Sequence, residues 1–167
     1  DADGLYGTAL QQQLHEIIDN HTPLQYTQLH ALFPFTDARA DNTVWDMYSD
    51  VPGGTPPYVY YFIPSDQCGN YSQEGDCYNR EHSFPKSWFG GEVMPMFTDL
   101  FHVYPTDGFV NNQRGNLPYG ETDNASWTSM NGSRVGPGSL AGYTATVFEP
   151  IDEYKGDLAR TYFYMAV

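Results

Sequence analysis

Apolar residues in the first part of the chain recur at the spacing of helices. Residues 8–19 predict an amphipathic helix, and Thr8 and Gln11 near its start match a capping box. A second, short helix is predicted at residues 27–33, and Pro34 is expected to end it because proline interrupts helical hydrogen bonding. The apolar face of the first helix is formed by Leu10, Leu14, Ile17 and Ile18.

Four further segments have the pattern of strands, and a fifth has that of a loop. Residues 43–49 and 58–63 are predicted strands, separated by the turn-rich segment "DVPGGTPP". Residues 100–105 predict a short buried strand, and residues 143–150 predict another. The segment 120–142 is rich in Gly, Ser and Asn, which predicts a long surface loop with at most one short strand.

Two more helices are predicted in the second half of the chain. Thr106 is expected to cap the first of them, Asp107 favours its positive end, and Gly115 marks its exit. Residues 155–167 predict a terminal helix, with Leu158, Tyr162 and Met165 on one stripe. This helix ends in apolar residues without a cap, so we expect the natural chain to continue beyond Val167.

These short elements predict one α+β domain that covers residues 1–167 and is truncated at its C-terminus. A chain of 167 residues is normally one domain and is long enough to bury a core. Its 14 Tyr, 10 Phe and 3 Trp argue against disorder, while 12 Pro and 16 Gly favour many turns over a helical bundle. No apolar run approaches the roughly 18–20 residues that a membrane span needs, so no membrane contact is expected.

The two cysteines predict a disulfide. Cys68 and Cys77 enclose eight residues rich in turn formers, which suits a small closed loop in an oxidising compartment. Closing such a loop would stabilise the fold by roughly 2–3 kcal/mol. Two alternatives stay open: a pair of free thiols, and a zinc site with His82 and His102, whose cysteine spacing is unlike that of structural zinc folds.

The charge of the chain argues against nucleic acid as a partner, except at one place. The formal net charge is −14, from 7 basic and 21 acidic side chains, and such a chain repels polyanions. Yet Arg80, Lys86 and Arg114 lie within 35 residues of one another. We interpret them as a local, phosphate-facing patch on an otherwise repulsive body.

Three side chains near this patch supply the parts for metal-assisted hydrolysis of a phosphodiester. A neutral imidazole such as His82 is the standard general base near neutral pH. The carboxylate of Glu81 and the amide carbonyl of Asn111 are hard oxygen ligands suited to Mg²⁺ or Ca²⁺. In an extended segment Glu81 and His82 point to opposite sides, so one can face a metal and the other a water. Taken alone, however, an acid–histidine pair is common in solvated turns.

The surrounding residues resemble a known family. The segment "CYNREHSFPKSWF", followed by "TDLFHVYPTDGFVNNQRGNLPYGE", is similar to the bacterial endonuclease I family, which comprises secreted nucleases with a ββα-metal (His-Me finger) core. The stretches "WDMYSD", "CGNYSQEGDCYN" and "FEPIDEYKGDLARTYFYMA" also resemble that family. The resemblance therefore runs from about residue 8 to the end, and it implies a ββα-metal core with surrounding helices, long loops and one disulfide.

The resemblance also assigns roles to single residues. It implies that Glu81 binds the metal, that His82 is the general base, and that Asn111 is the second metal ligand. Asn112 is the alternative ligand if the register is shifted by one residue. Arg114 occupies the arginine position of the family and is expected to contribute to catalysis by holding a phosphate, or else to brace the loop. Mg²⁺ is the implied cofactor, with Mn²⁺ or Ca²⁺ possible.

The function implied is that of a secreted or periplasmic endonuclease that cleaves DNA, RNA or both to 5′-phosphate ends. Arg80 and Lys86 are expected to bind the substrate.

The sequence departs from the family in two ways: Phe101 stands where many relatives have histidine, and the segment "FGGEVMPMF" lacks the arginine that some relatives carry. His102 is expected to be a core histidine. The alternative to a nuclease is a catalytically degenerate secreted module that binds Ca²⁺ or another ligand. Oligomeric state is not readable from the sequence.

Overall fold

The computed structural model describes residues 1–167 and combines four helices with two antiparallel sheets. The strands β1 and β2 form a two-stranded sheet, and β3, β4 and β5 form a three-stranded sheet in that order. The elements are α1 (Gly7–Ile18), α2 (Leu29–Thr36), β1 (Tyr78–His82), β2 (Val103–Asp107), α3 (Gly108–Arg114), β3 (Trp127–Thr128), β4 (Arg134–Pro137), β5 (Thr146–Glu149) and α4 (Asp152–Met165).

The strands β1 and β2 and the helix α3 form a compact β–β–α unit. In the sheet, Glu81 lies opposite Tyr104 and His82 lies opposite Val103. Helix α3 follows β2 without a loop and contacts both strands. The end of β1 that carries Glu81 and His82 is therefore held against both β2 and α3.

The start of α3 differs from the prediction by one residue. The cap is Asp107, whose Oδ1 accepts a hydrogen bond from the backbone nitrogen of Val110 at 2.8 Å. Thr106 is still paired with Asn79 in the sheet, so the cap predicted there is wrong. The predicted exit at Gly115 is confirmed.

Two hydrophobic cores lie against this unit. One core packs α2 against β1 and β2, and the other packs α3 against β5 and α4. The unit therefore has a packed core on each side, which fixes the position of its side chains. The buried residues of the first core are Leu29, Phe33, Val44, Tyr60, Tyr78 and Val103, and those of the second are Met47, Tyr48, Val110, Phe148, Tyr154 and Leu158.

The helix predictions are confirmed in outline and wrong at three details. The helix predicted at 8–19 is α1, but no side chain caps it and none of its residues is buried, so its apolar face is not part of a core. Pro34 lies inside α2 and does not end it. A proline loses only its own hydrogen bond to the preceding turn, and the bond from the nitrogen of Asp37 to the oxygen of Phe33 closes the helix beyond it. The helix predicted at 155–167 is α4, which begins three residues earlier.

The strands predicted at 43–49 and 58–63 are wrong. The two segments meet at one isolated bridge between Thr43 and Tyr61. Beyond the bridge, the backbone carbonyl oxygen of Asp46 accepts hydrogen bonds from the backbone nitrogens of Ser49 and Asp50. These bonds form a turn, so the first segment does not continue alongside the second. Val44, Met47 and Tyr48 of the first segment and Tyr60 of the second are buried. Val59, Tyr61 and Ile63 of the second segment are exposed.

The remaining strand predictions are confirmed with shifted bounds. The strand predicted at 100–105 is β2, and the one predicted at 143–150 is β5. The segment 120–142 contains two strands, β3 and β4, and not the single short strand expected.

The predicted disulfide is confirmed. Cys68 and Cys77 are bonded to each other, and no free cysteine remains, which rules out both the thiol pair and the zinc site. Cys77 directly precedes β1 and therefore ties the start of that strand to the preceding loop. Gly108 packs against the same disulfide, because an added Cβ there would lie 2.8 Å from the Sγ of Cys68 and 2.8 Å from the ring of Tyr71.

Two further predictions concern membrane-spanning helices and the burial of His102. The structure contains no helix of the length and apolarity that a bilayer crossing requires. His102, expected to be a core residue, is fully buried, and its Nε2 lies 2.5 Å from the carbonyl oxygen of Met96.

A buried carboxyl group makes the stability of the fold depend on pH. The Oδ1 of Asp46 accepts from the nitrogen of Tyr48 at 2.8 Å, and its Oδ2 accepts from the nitrogen of Asp107 at 3.0 Å. Burial, together with the nearby Asp107 carboxylate, raises the pKa of Asp46 to about 7. A carboxyl group whose pKa is raised in the folded state contributes stability below its unfolded pKa, and this contribution is lost as the pH rises through the folded pKa.

We therefore expect Asp46→Asn to change the pH dependence of unfolding. The wild-type free energy of unfolding should fall relative to that of the variant between about pH 4 and pH 7, by on the order of 2–4 kcal/mol. Urea denaturation at several pH values measures this difference. Asp123→Asn, at an exposed position, is the control and should follow the wild type. A difference between Asp46→Asn and wild type that does not vary with pH would contradict the shifted pKa.

Candidate active site

A cleft of about 410 Å³ runs along β1 and brings together five of the six residues predicted from the sequence to take part in catalysis, metal binding or substrate binding. Its walls are polar, and side chains from both faces of the strand contribute to them. The lining residues are Tyr26, Asn79, Arg80, Glu81, His82, Pro85, Lys86, Ser87, Asn111, Gly115 and Asn116. The predicted residue that is missing from this cleft is Arg114.

The imidazole of His82 is held in one orientation and one tautomer. Its Nε2 lies 3.0 Å from the carbonyl oxygen of Phe97. Because a carbonyl oxygen only accepts, Nε2 carries the hydrogen and Nδ1 carries the lone pair. The ring stacks on that of Phe97, with centroids 5.2 Å apart. Nδ1 has no protein partner, so its lone pair is free to accept a proton.

The surroundings of His82 keep it uncharged. Burial lowers the pKa of His82 to about 4, with smaller contributions from His102 and the cations of Lys86 and Arg80. The side chain is therefore neutral at pH 7, which is the state that a general base requires.

Glu81 is buried but keeps one oxygen free. Its Oε1 accepts hydrogen bonds from the Nη1 of Arg114 at 2.7 Å and from the hydroxyl of Tyr48 at 2.9 Å. Burial raises the pKa of Glu81, and the Arg114 cation and the Tyr48 hydroxyl oppose that rise. Both bonds end on the same oxygen, so Oε2 has no protein partner and remains available as a ligand.

Asn111 is oriented in a similar way. Its Nδ2 donates to the Oδ1 of Asn79 at 2.7 Å, and Asn79 lies two residues before Glu81 on the same face of β1. This bond fixes the amide so that the Oδ1 of Asn111 is free of protein partners. Asn112 is exposed and does not line the cleft, which argues against the shifted register.

Arg114 occupies a different position from the one expected for a phosphate ligand. Its side chain is fully buried and does not line the cleft. Besides Glu81, it donates to the carbonyl oxygens of His82 at 2.8 Å and Ser83 at 2.6 Å. The prediction that Arg114 holds a phosphate does not agree with this geometry, because all these contacts are internal. The alternative prediction, that it braces the chain, agrees with them.

The two cations of the cleft differ from the other five in the chain. Arg80 has no carboxylate within 4.0 Å, and Lys86 has only Glu92, at 3.8 Å between two exposed side chains. Positive charge without a close acidic partner is therefore concentrated in this cleft. The other five cations form closer ion pairs: Arg39 with Asp50, Arg114 with Glu81, Arg134 with Glu149, Lys155 with Glu121, Glu149 and Asp152, and Arg160 with Asp157.

Three residues of the site were not predicted from the sequence. Asn79 orients Asn111, Tyr48 binds Glu81, and the backbone oxygen of Tyr26 accepts from the Nη1 of Arg80 at 3.0 Å. Asn79 had a usable signal, since it alternates with Glu81 along β1. Tyr48 and Tyr26 had none, because they reach the site from distant segments.

Comparison with known proteins places the chain in a family. The family model for Endonuclease I matches residues 6–167. The chain therefore belongs to the endonuclease I family, as its sequence motifs indicated.

Two curated relatives are similar over almost the whole chain. It is 36% identical to an "Extracellular ribonuclease" of Bacillus amyloliquefaciens over 174 residues, which cover 100% of this chain and 51% of the relative. It is 34% identical to an "Extracellular ribonuclease" of Bacillus subtilis (strain 168) over 172 residues, covering 99% of this chain and 51% of the relative. The chain thus spans about half the length of the curated relatives it matches. No solved structure matches the chain.

Proposed function

We propose that this chain is the catalytic unit of a secreted or periplasmic, metal-dependent endonuclease with a ββα-metal core. The observation that supports the proposal best is the arrangement of His82: the Phe97 carbonyl holds its Nε2, which leaves a neutral Nδ1 in the cleft that Glu81 and Asn111 also line. Family membership and the names of the two relatives support a nuclease and an extracellular location.

The oxygen atoms in the cleft fit a hard divalent cation. Glu81 offers Oε2 and Asn111 offers Oδ1, and neither atom has a protein partner. No group of three His, Cys, Asp or Glu side chains is placed to hold a metal. Mg²⁺ needs few protein ligands because it keeps several waters, so we propose Mg²⁺ as the cofactor, with Mn²⁺ or Ca²⁺ as substitutes. When bound, such an ion polarises the phosphate and neutralises charge on the leaving oxygen.

His82 supplies the proton transfer in the proposed reaction. A water molecule attacks the phosphorus atom while the Nδ1 of His82 takes its proton, and the bond from phosphorus to the 3′ oxygen breaks. The departing 3′ oxygen takes a proton from solvent, and the phosphate stays on the 5′ side. Because Nε2 already donates to Phe97, the imidazolium that forms keeps its orientation.

Arg80 and Lys86 provide the positive charge that a phosphate needs. They are the two cations of the chain without a carboxylate closer than 3.8 Å, and both line the cleft. In contrast, Arg114 acts through other residues, since it holds the Glu81 carboxylate and the carbonyls of His82 and Ser83. We propose that Arg114 is a positioning residue.

An in-gel nuclease assay with and without EDTA tests the proposal. Degradation of DNA or RNA that needs Mg²⁺ or Mn²⁺ is the expected result, and analysis of the product ends should show 5′-phosphates. A properly folded chain that cleaves neither polymer with any of these ions would favour the alternative, a degenerate binding module on the same fold.

We expect the two proposed metal ligands to affect the metal requirement. Glu81→Gln and Asn111→Ala should each raise the metal concentration for half-maximal activity, by about tenfold or more, because each removes an oxygen ligand or its charge. Gln is chosen at position 81 because it retains a partner for the buried Arg114. Titration of activity with Mg²⁺ measures the effect.

The matched control is the neighbouring residue on the same helix. Asn112→Ala changes the same side chain at an exposed position outside the cleft and should leave the titration unchanged. If Asn111→Ala also titrates as the wild type does, Asn111 is not a ligand.

A further inference from the structure

The distribution of ion pairs limits which nucleic acid the cleft can hold. Outside the cleft, each of the four remaining exposed or half-buried cations is paired with at least one carboxylate. Double-stranded nucleic acid is bound mainly through Lys and Arg side chains that neutralise phosphates of both strands. This chain, with a formal net charge of −14, has no second patch of unpaired cations to meet a complementary strand.

The size of the cleft points in the same direction. Its volume of about 410 Å³ lies within the range of small-molecule pockets, about 300–1,000 Å³. A short stretch of one strand fits such a volume, whereas the width of a duplex must rest on surface outside the cleft, where every cation is paired with a carboxylate.

Arg80 is prepared for one phosphate before any substrate arrives. Its Nη1 donates to the carbonyl oxygen of Tyr26, and its guanidinium carbon lies 3.8 Å from the centre of the Tyr26 ring. These contacts fix the guanidinium in the cleft, while its Nη2 has no protein partner. Lys86 lies four residues after β1, at the start of a short 3-10 helix, and its side chain is exposed. The hydroxyl of Tyr26 is also without a protein partner.

We propose that the substrate is a single strand of nucleic acid, bound through about two phosphates next to the cleaved one, by Arg80 and Lys86. Duplex is a poor substrate because its second strand finds no unpaired cation to offset the net charge of −14 of the chain. This inference rests on the proposed nuclease function for its biological meaning, but its test requires only binding.

The test uses His82→Ala protein, which should bind without cleaving, and a fluorescent oligonucleotide of about 12 nucleotides in Mg²⁺. Anisotropy titrations give the dissociation constant of the single strand and of its duplex at several salt concentrations. For the single strand, the logarithm of the association constant should fall with the logarithm of salt with a slope of about −1.4, since each phosphate contact contributes about −0.7. At low salt the duplex should bind at least tenfold more weakly, and the gap should narrow as salt screens the repulsion.

Substitution of single cations identifies the contacts. Adding Arg80→Gln should weaken binding of the single strand by about tenfold and reduce the slope by about 0.7. Adding Arg160→Gln, an exposed cation paired with Asp157 on α4, should change neither quantity. RNA and DNA versions of the strand show whether the sugar contributes.

The possible outcomes separate this inference from the proposed function. Duplex binding within twofold of single-strand binding, a slope steeper than about −3.5, or no effect of Arg80→Gln would overturn the single-strand footprint. Undetectable binding of the single strand would overturn it as well. Failure of the wild-type chain to cleave any substrate, with binding as expected, would instead refute the nuclease and leave a single-strand binding module.

Discussion

Replacing His82 by alanine is expected to abolish measurable turnover while the fold stays intact. A positioned general base contributes about 10²–10⁴-fold to the rate, so the turnover number should fall by at least that lower limit. The structural reason is that the Nδ1 of His82 is the cleft's neutral nitrogen base, oriented by the bond from Nε2 to the Phe97 carbonyl. Initial rates at saturating Mg²⁺, with a fluorescent oligonucleotide as substrate, measure the loss.

Two controls distinguish a lost base from a damaged fold. Circular dichroism and the urea midpoint should show that His82→Ala remains folded. His102→Asn, at the neighbouring buried histidine outside the cleft, should retain far more activity than His82→Ala even if it is less stable. Full activity of His82→Ala would show that another group activates the water.

Removal of the Arg114 side chain is expected to have the largest effect on stability. Arg114→Met leaves Glu81 buried without its cation and leaves the carbonyls of His82 and Ser83 without a donor. Breaking a buried ion pair by removing one partner typically costs about 3–5 kcal/mol. The free energy of unfolding from urea denaturation should therefore fall by an amount in that range.

The double variant tests the physical cause. Glu81→Gln combined with Arg114→Met removes both charges, so it should recover part of the stability lost in Arg114→Met alone. Arg160→Met disrupts an exposed pair and should leave the free energy of unfolding unchanged within error, since such pairs contribute little. If Arg114→Met is as stable as the wild type, the buried pair does not hold this site together.

The sequence was most informative where chemistry and backbone pattern coincide. The extended segment around Glu81 and His82 predicted side chains on opposite faces, and β1 has them there. Asn111 was assigned by resemblance to the family, and the structure brings it into the same cleft. The disulfide followed from the spacing of Cys68 and Cys77 and from the turn-rich residues between them.

The sequence was least informative where a side chain competes with the backbone pattern. Residues 43–49 alternate like a strand, but the backbone turns at Asp46, whose carboxylate also binds the amide of Tyr48. Arg114 could not be assigned to one role, because a surface cation that meets phosphate and a buried cation that braces a loop look the same in sequence. Its four hydrogen-bond acceptors, including the hydroxyl of Tyr162 at 3.3 Å, are all internal and favour the bracing role.

The contact between Gly108 and the disulfide has a consequence for variation at these positions. The sulfur of Cys68 and the ring of Tyr71 both lie 2.8 Å from the position of a Cβ at residue 108, so Gly108→Ala is tolerated only if both of them move. Engineering a bridge-free form of the domain, for production in a reducing cytosol, should therefore begin with small residues at both cysteines and keep glycine at 108, because the ring of Tyr71 still occupies the space of a Cβ there.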